Sequence, residues 1–514
     1  MRVAVIGHTA EPGGAELSLV RMLSELPEDA PEVIGLWFED GDVVQRLRAQ
    51  GLRVDVLAMK QSVRTVARTT VGGVSVGLLT QTGYSVWFAV EVARWLRRND
   101  IDIVHTSTLK ADLIGTVAAC LARKPLVWHV RDRIAPDYMP MGAVRLLGAL
   151  AGMAPTRVIA NSWATAATLP RARGLTVAYP GYAPDMVRSA PRPRPTGPPV
   201  VGMLGRVSPT KGQHEFVQAA ARVLRHHPDA QFRIVGAPTF GATAYAEQVR
   251  AAIVDLGLED HVSWTGFVRD IRPELDAMSV CVHAAPVPEP FGNVLVEAMV
   301  RGVPVIGTNA GGVREILDPL PGEDPLGLLV RPGDVEELAE AIISVLDDED
   351  SADDRAARAH RSAASRFPAW RATEVLLGVW QDVSGTWSSV IDDLVEQHWS
   401  DQFSPASLPL ADAAFEVPPR VGYSVVNDDT AEVTVYIAHL PDGPMLELRE
   451  SAALTWLAAT GYPAQSWIDI LTAVVGAPRE LVTRQATDFV DELIEAGYLM
   501  SAASTASPSP ELGG

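Results

Sequence analysis

The chain has little cysteine, a deficit of basic charge and no long apolar run. Two cysteines, Cys120 and Cys281, occur in 514 residues, both in apolar sequence surroundings. That excludes a disulfide framework and a cysteine metal cluster, and it fits a reducing, cytoplasmic setting. Lys and Arg number 43 against 63 Asp and Glu, a formal charge of −20. General nucleic-acid binding and a strongly basic membrane face are disfavoured, so any phosphate site must be a local basic spot. A spanning helix needs about 18 consecutive apolar residues. The apolar stretch from Val71 to Val92 is broken by Gly, Thr, Gln and Glu91, which leaves peripheral membrane contact open and spanning excluded. Met1–Gly7 is too short and too strand-like for a signal peptide. The apolar fraction of 47% over this length suits two or three packed domains.

Strand and helix patterns alternate through the first two thirds. Arg2–Gly7 reads as a buried parallel strand, followed by Glu11-Pro12-Gly13-Gly14-Ala15-Glu16 and an apolar helical pattern. Further strands are expected at 32–36, 54–57, 101–105, 126–130 and 157–162, with helices at 43–50, 87–98 and 113–122. Such alternation means a doubly wound α/β sheet, which meets its ligands at the C-terminal ends of the strands. His129 stands at one such end, beside Arg131 and Asp132. His105 ends the preceding strand and reads as mostly structural. Asp100-Ile101-Asp102 mimics a metal-binding pair but starts a strand, the wrong end for a ligand cleft, so no metal site is expected. Pro191–Pro199 is a stiff proline linker. A second series opens with the strand Val200–Gly205, then Arg206-Val207-Ser208-Pro209-Thr210-Lys211-Gly212. Arg206 and Lys211 supply the local basic spot; Arg can fork onto a diphosphate and Lys adds a compact charge.

The richest segment is Glu289-Pro290-Phe291-Gly292-Asn293-Val294-Leu295-Val296-Glu297. Two carboxylates stand eight residues apart, one in a Pro/Gly loop and one a turn into a helix that Gly292 or Asn293 opens. A helix N-terminus suits a diphosphate, and carboxylates beside it suit hydroxyl groups. Hydroxyls next to a diphosphate describe a nucleotide-sugar. A loop Glu and a helix Glu are ordinarily solvated; here a buried-strand pattern, Gly302–Thr308, and a second glycine loop, Asn309-Ala310-Gly311-Gly312, follow.

Glu289-Pro290-Phe291-Gly292, Glu297-Ala298, Gly302-Val303-Pro304-Val305 and Gly311-Gly312 resemble the donor-site signature of retaining glycosyltransferases of family 4, over roughly residues 1–385. The resemblance implies a GT-B fold: a Rossmann-like acceptor domain (1–182), a linker (183–199), a Rossmann-like nucleotide-sugar domain (200–366) and a crossover helix region (367–398). It implies that Arg206 and Lys211 bind the donor diphosphate and that Glu289 holds sugar hydroxyls beside the Phe291 and Gly292 amides. Asn293 joins them, Glu297 takes the ribose, and Gly13 and Gly14 face the cleft. His129 would orient the sugar or support developing charge. Glu289, His129, Arg206 and Lys211 are the catalytic candidates. No cofactor is implied beyond the nucleotide-diphosphate sugar itself, with uridine favoured over guanosine donors; the residues alone leave the base open.

After a linker at 399–419 the character changes. Three short strands, Tyr423–Val426, Val433–His439 and Met445–Leu448, precede helical patterns at Ser451–Ala459, Gln465–Val475 and Arg479–Glu495, and 501–514 reads as disordered. A small α+β, winged-helix-like domain over 420–500 is expected. Leu446–Ala453, Trp456-Leu457 and Phe489–Leu499 are similar to the PqqD family, recognition elements of ribosomal peptide maturation. That likeness implies a precursor or leader peptide as partner, added as a strand to a sheet edge. The main expectation is therefore a glycosyltransferase acting on a ribosomally made peptide. The alternative keeps the enzyme and takes a lipid-linked or small-molecule glycan as acceptor. A peptide-binding protein on an inactive scaffold is the third possibility, disfavoured by the intact Arg206, Lys211, Glu289 and Glu297.

Overall fold

A computed structural model describes residues 1–59, 76–172, 174–188, 192, 195–238, 242–318 and 324–384, the side chains of 76–86 excepted. Beyond these it describes 415–416, 421–427, 433–439, 445–449 and scattered positions between 468 and 501. The chain divides into two compact units, Met1–Trp387 and Ser388–Gly514.

The first unit carries two parallel sheets. The first contains β1 (Arg2–Gly7), β2 (Glu32–Trp37), β3 (Arg53–Val56), β4 (Ile103–Thr106), β5 (Leu126–Val130), β6 (Arg157–Ala160) and β7 (Leu175–Val177), in the order β3-β2-β1-β4-β5-β6-β7. The second contains β8 (Val200–Leu204), β9 (Gln231–Val235), β10 (Val262–Gly266), β11 (Val280–His283), β12 (Val305–Thr308) and β13 (Leu328–Val330), in the order β10-β9-β8-β11-β12-β13. Both are doubly wound. The strand order reverses between β1 and β4 and between β8 and β11, and at such switch points the loops diverge and leave a crevice. The central strands are buried on both faces: Val3–Ile6 and Val280–Val282 are fully enclosed. This is why they read as unbroken apolar runs.

Helices cover both faces of each sheet. The one expected at 87–98 spans Val76–Arg98, because Gly77 and Gly83, which read as breakers, are tolerated inside it. The crossover helix expected from 367 onward is the second of two helices, Glu349–Arg366 and Ala369–Ser384, divided at Phe367-Pro368. Ala372, Leu376, Val379 and Trp380 of the last helix pack into the first sheet's core with Val3, Val5 and Val127. Cys281 is buried, whereas Cys120, in equally apolar sequence, is exposed on the Leu109–Ala122 helix. Asp102, just before β4, accepts the Arg2 backbone N–H at 2.8 Å and so caps the start of β1.

In the second unit, β14 (Phe415–Glu416) pairs antiparallel with β18 (Met500–Ser501). Between them in sequence, β15 (Val421–Asn427), β16 (Val433–His439) and β17 (Met445–Arg449) form an antiparallel meander. The expected strands are there, the first and third slightly longer and the second with the expected bounds. Most of the three expected helices lie outside the described residues, with helical positions at 468, 483, 486–487, 489–491 and 493–494. Among the described residues, no helix is long and apolar enough to cross a membrane.

Candidate active site in the cleft of the first unit

The second sheet's switch point gathers the basic spot and the first carboxylate. Arg206 follows β8 by two residues, and Glu289 lies on the loop leaving β11. Lys211 Nζ is ion-paired with Glu289 Oε1, the two side chains being 19% and 14% exposed. Gly212 makes the approach possible. It sits at φ +85°, and a Cβ there would lie 1.9 Å from the Ala284 carbonyl oxygen. Burial first, and then the Arg206 guanidinium, pull the Lys211 ammonium down to about 7. The other oxygen of Glu289 meets His283 Nε2, while His283 Nδ1 is 3.1 Å from Thr308 Oγ1. His283 is held down to about 3 by burial and by Lys211. A neutral His283 therefore donates from Nε2 to the carboxylate, and its Nδ1 accepts from the threonine hydroxyl.

Backbone fixes the same loop. The Gly312 N–H donates to the Glu289 carbonyl at 3.0 Å, and Gly311 pairs with Glu289 as an isolated bridge. Gly311 has φ +62°, and a Cβ on it would stand 2.2 Å from the Glu289 oxygen. Gly292, at φ +118°, precedes the helix Asn293–Val300 as its cap. The Phe291 ring is core: it is 2% exposed and packs with Tyr179 and Phe367 at centroid distances of 5.5 Å.

The first half closes on this loop. Asn293 Nδ2 donates to the Gly14 carbonyl at 3.0 Å, so the Gly13-Gly14 turn faces the donor helix. Gly13 itself is extended, at φ −102°. Ser162 Oγ donates to the Pro290 carbonyl at 2.5 Å. Glu315 accepts the backbone N–H groups of Trp163 and Ala164 and the Tyr179 hydroxyl at 2.6–2.9 Å. Glu297 is tied across the cleft: Arg21 Nη2 donates to its Oε1 at 2.7 Å, and Arg21 Nη1 reaches the Gly181 carbonyl at 3.3 Å. Burial pushes the Glu16 carboxyl up, against the opposing fields of Arg131 and Arg206.

His129 lies at the end of β5, fully buried. Its Nδ1 is 3.3 Å from His105 Nε2 and 3.2 Å from Arg131 Nη2. The structure thus brings together Lys211 with Glu289, Gly14 with Asn293, and Arg206 with Lys211. It ties Glu297 to a residue of the other half and encloses His129 in a separate polar cluster of the first half. Sequence reasoning missed Arg21, His283 and Trp380. A signal existed for two of them: His283 interrupts an apolar strand, and Arg21 interrupts the apolar run Leu19-Val20-Met22-Leu23. Among the described residues, no group of three or more His, Cys, Asp or Glu side chains is placed to hold a metal ion.

Comparison with known proteins bears on this cleft. Residues 41–185 match the family described as Glycosyltransferase Family 4, and residues 188–362 match Glycosyl transferases group 1. The chain is 30% identical to 2-deoxystreptamine glucosyltransferase of Streptomyces kanamyceticus over 51% of its own length and 73% of the relative's. It is 31% identical to 2-deoxystreptamine N-acetyl-D-glucosaminyltransferase of Streptomyces fradiae, over 64% of its own length and 81% of the relative's. The crystal structure of Anabaena HepE in complex with UDP-glucose superposes with a TM-score of 0.62 at 27% identity, covering 76% of this chain and all of that one. With two doubly wound halves, a cleft between their strand ends and matches spanning both, the chain belongs to the glycosyltransferases of family 4 and group 1, with the GT-B fold.

Proposed function

We propose that the chain moves a sugar from a uridine diphosphate sugar to a hydroxyl of a small-molecule or glycan acceptor, with retention at the anomeric carbon and without a metal ion. The observation that carries this reading is the pairing of Lys211 with Glu289 at the β8–β11 switch point, with Arg206 alongside. A buried cation stands where a diphosphate would meet the second half, next to a carboxylate able to accept hydrogen bonds from sugar hydroxyls. HepE, solved with UDP-glucose, supports uridine as the base. The two Streptomyces relatives are named for 2-deoxystreptamine, a polyhydroxylated carbocycle, and support a small cyclic acceptor.

In this mechanism the bond between the anomeric carbon and the β-phosphate oxygen breaks, and its electron pair passes to the diphosphate held by Arg206 and Lys211. The acceptor hydroxyl attacks from the same face and gives its proton to the departing phosphate oxygen. Glu289 and the Phe291 and Gly292 amides hold the sugar, Glu297 the ribose, and Asn293 and the Gly13-Gly14 turn line the cleft. His129 supports the sugar from the first half. Screening by thermal shift against uridine, guanosine and adenosine diphosphate sugars tests the reading. Selective stabilisation by one uridine donor is expected; a folded chain that responds to none would sink it.

A second reading gives the enzyme a peptide acceptor through the PqqD-like stretch at 420–500. It rests on the β15–β17 meander, whose outer strands each pair only with β16 among the described strands and offer edges for strand addition. Anisotropy of a labelled peptide encoded beside this chain would decide it. Micromolar binding to the full chain that is lost on deleting residues 420–500 favours the peptide; no binding returns the acceptor to the glycan class.

A further inference from the structure

Trp380, His105 and His129 form a buried chain whose proton positions are fixed from its ends. Trp380 lies on the helix Ala369–Ser384, which packs on the first sheet. Its indole Nε1–H can only donate, and its acceptor is His105 Nδ1 at 3.0 Å. A neutral His105 must then carry its proton on Nε2. That nitrogen lies 3.3 Å from His129 Nδ1. Arg131 Nη2, a second donor-only group, lies 3.2 Å from the same His129 Nδ1. Nδ1 of His129 is therefore an acceptor on two counts, and the proton of a neutral His129 sits on Nε2. Among the described residues that Nε2 has no hydrogen-bond partner, although all three rings of the chain are fully buried. Burial, with the Arg131 charge behind it, holds His105 down to about 3 and His129 well below the ordinary imidazole value, so both rings stay neutral. The rings pack edge to face, His105 on His129 at 5.3 Å and His105 on Trp380 at 5.6 Å, which fixes their planes as well as their protons.

We propose that Trp380 and His105 are positioning residues that fix the tautomer and ring plane of His129, so that His129 offers the transferred sugar an Nε2–H donor and cannot act as a general base. Arg131, which contacts His129, also donates to the Ala15 carbonyl and so ties this cluster to the Gly13-Gly14 turn that faces the donor helix. An unpaired donor kept from water costs free energy until a ligand oxygen satisfies it, so its retention is explained by a hydrogen bond made on binding. The helix that carries Trp380 follows the second half in sequence and packs back on the first sheet. This inference rests on the proposed transfer reaction.

Histidine tautomers are read directly in the full chain, labelled with nitrogen-15 in its imidazoles, from long-range proton–nitrogen correlations. The His105 and His129 signals are identified by their loss in His105→Gln and His129→Gln. Both rings are expected to show the neutral Nε2–H pattern and not to titrate from about pH 6 to 8. In Trp380→Phe, which keeps an aromatic ring and loses the donor, the His105 pattern should shift and turnover should fall about tenfold, with donor KM within about twofold. His129→Gln, whose amide can still donate, should keep about ten times the turnover of His129→Leu. A proton on His129 Nδ1, a charged His129, wild-type turnover in Trp380→Phe, or equal loss in the Gln and Leu variants would each overturn the proposal. The spectra decide the tautomer whether or not sugar is transferred; absence of donor turnover in the wild type refutes the transferase reading separately.

Discussion

Replacing Lys211 by Met tests the donor site most directly. The substitution keeps an unbranched side chain, one atom shorter, and removes its charge. In the structure that charge is paired with Glu289, both side chains being under one-fifth exposed. With donor bound, a charge-assisted contact to a diphosphate oxygen contributes about 1.5–3 kcal/mol. Its loss should lower donor kcat/KM about 10- to 150-fold. The variant also leaves the Glu289 carboxylate with His283 as its side-chain partner. Stranding one member of a fully buried pair costs about 3–5 kcal/mol, and the residual exposure here brings the expected loss to about 2–4 kcal/mol. The double variant Lys211→Met/Glu289→Gln removes both charges and should regain most of that stability while donor use stays impaired. Thermal unfolding and release of the nucleoside diphosphate, measured near pH 6 where the wild-type ammonium is charged, give the two readouts. A folded single variant with donor kcat/KM within about twofold of wild type would place the diphosphate elsewhere and refute the reasoning.

Because burial and Arg206 bring Lys211 down to about 7, an anionic donor should take up a proton on binding above that pH, and its affinity should fall as pH rises. Calorimetry with UDP between about pH 6 and 9, in buffers of different ionisation heat, checks this; a flat affinity with no proton uptake contradicts it. Gly311→Ala puts a methyl group 2.2 Å from the Glu289 carbonyl oxygen at a φ of +62°. The backbone term alone costs about 1–2 kcal/mol, so a lower Tm and turnover down at least about tenfold are expected, and wild-type kinetics would count against the loop's role. Arg21→Met frees Glu297 Oε1 from its 2.7 Å partner. Donor KM should rise about tenfold with little change in kcat, and an unchanged KM would separate Glu297 from donor binding.

The two doubly wound sheets were legible because strands buried on both faces leave unbroken apolar runs, as in Val3–Ile6 and Val280–Val282. The Glu289 loop was legible because Pro290 and Gly292 punctuate it and Gly311-Gly312 answers it. These are local signals with local causes. Arg21 was not legible as a site residue, since its partner lies 276 residues away and its own helix explains nothing about it. Phe291 sits inside the signature, yet its ring turns into an aromatic cluster with Tyr179 and Phe367, which only the packed fold could show. His105 read as structural because a polar residue ending a buried strand usually is. Its Trp380 partner arrives from a helix 275 residues later, in a stretch read only as a crossover.

The two signature carboxylates are anchored in different ways, and this difference has functional weight. Glu289 is held within its own half by Lys211, His283 and the backbone of Gly312. Its geometry can therefore survive a change in the cleft. Glu297 takes its partner from the other half, through Arg21. Between them, the Pro290 carbonyl is gripped by Ser162 of the first half. A movement of the halves would then leave the sugar-side carboxylate in place and disturb the one assigned to the ribose. Oε1 of Glu297 faces Arg21, and its other oxygen remains to accept from a hydroxyl. On this geometry Arg21 orients Glu297 rather than competing with the donor, so the closed cleft is the arrangement in which both carboxylates are ready. On the proposed assignments, the Glu297 contact to the ribose depends on closure and the Glu289 contact to the sugar does not, so the second half holds the diphosphate and sugar first, and closure completes the nucleoside end and brings His129 of the first half to the sugar.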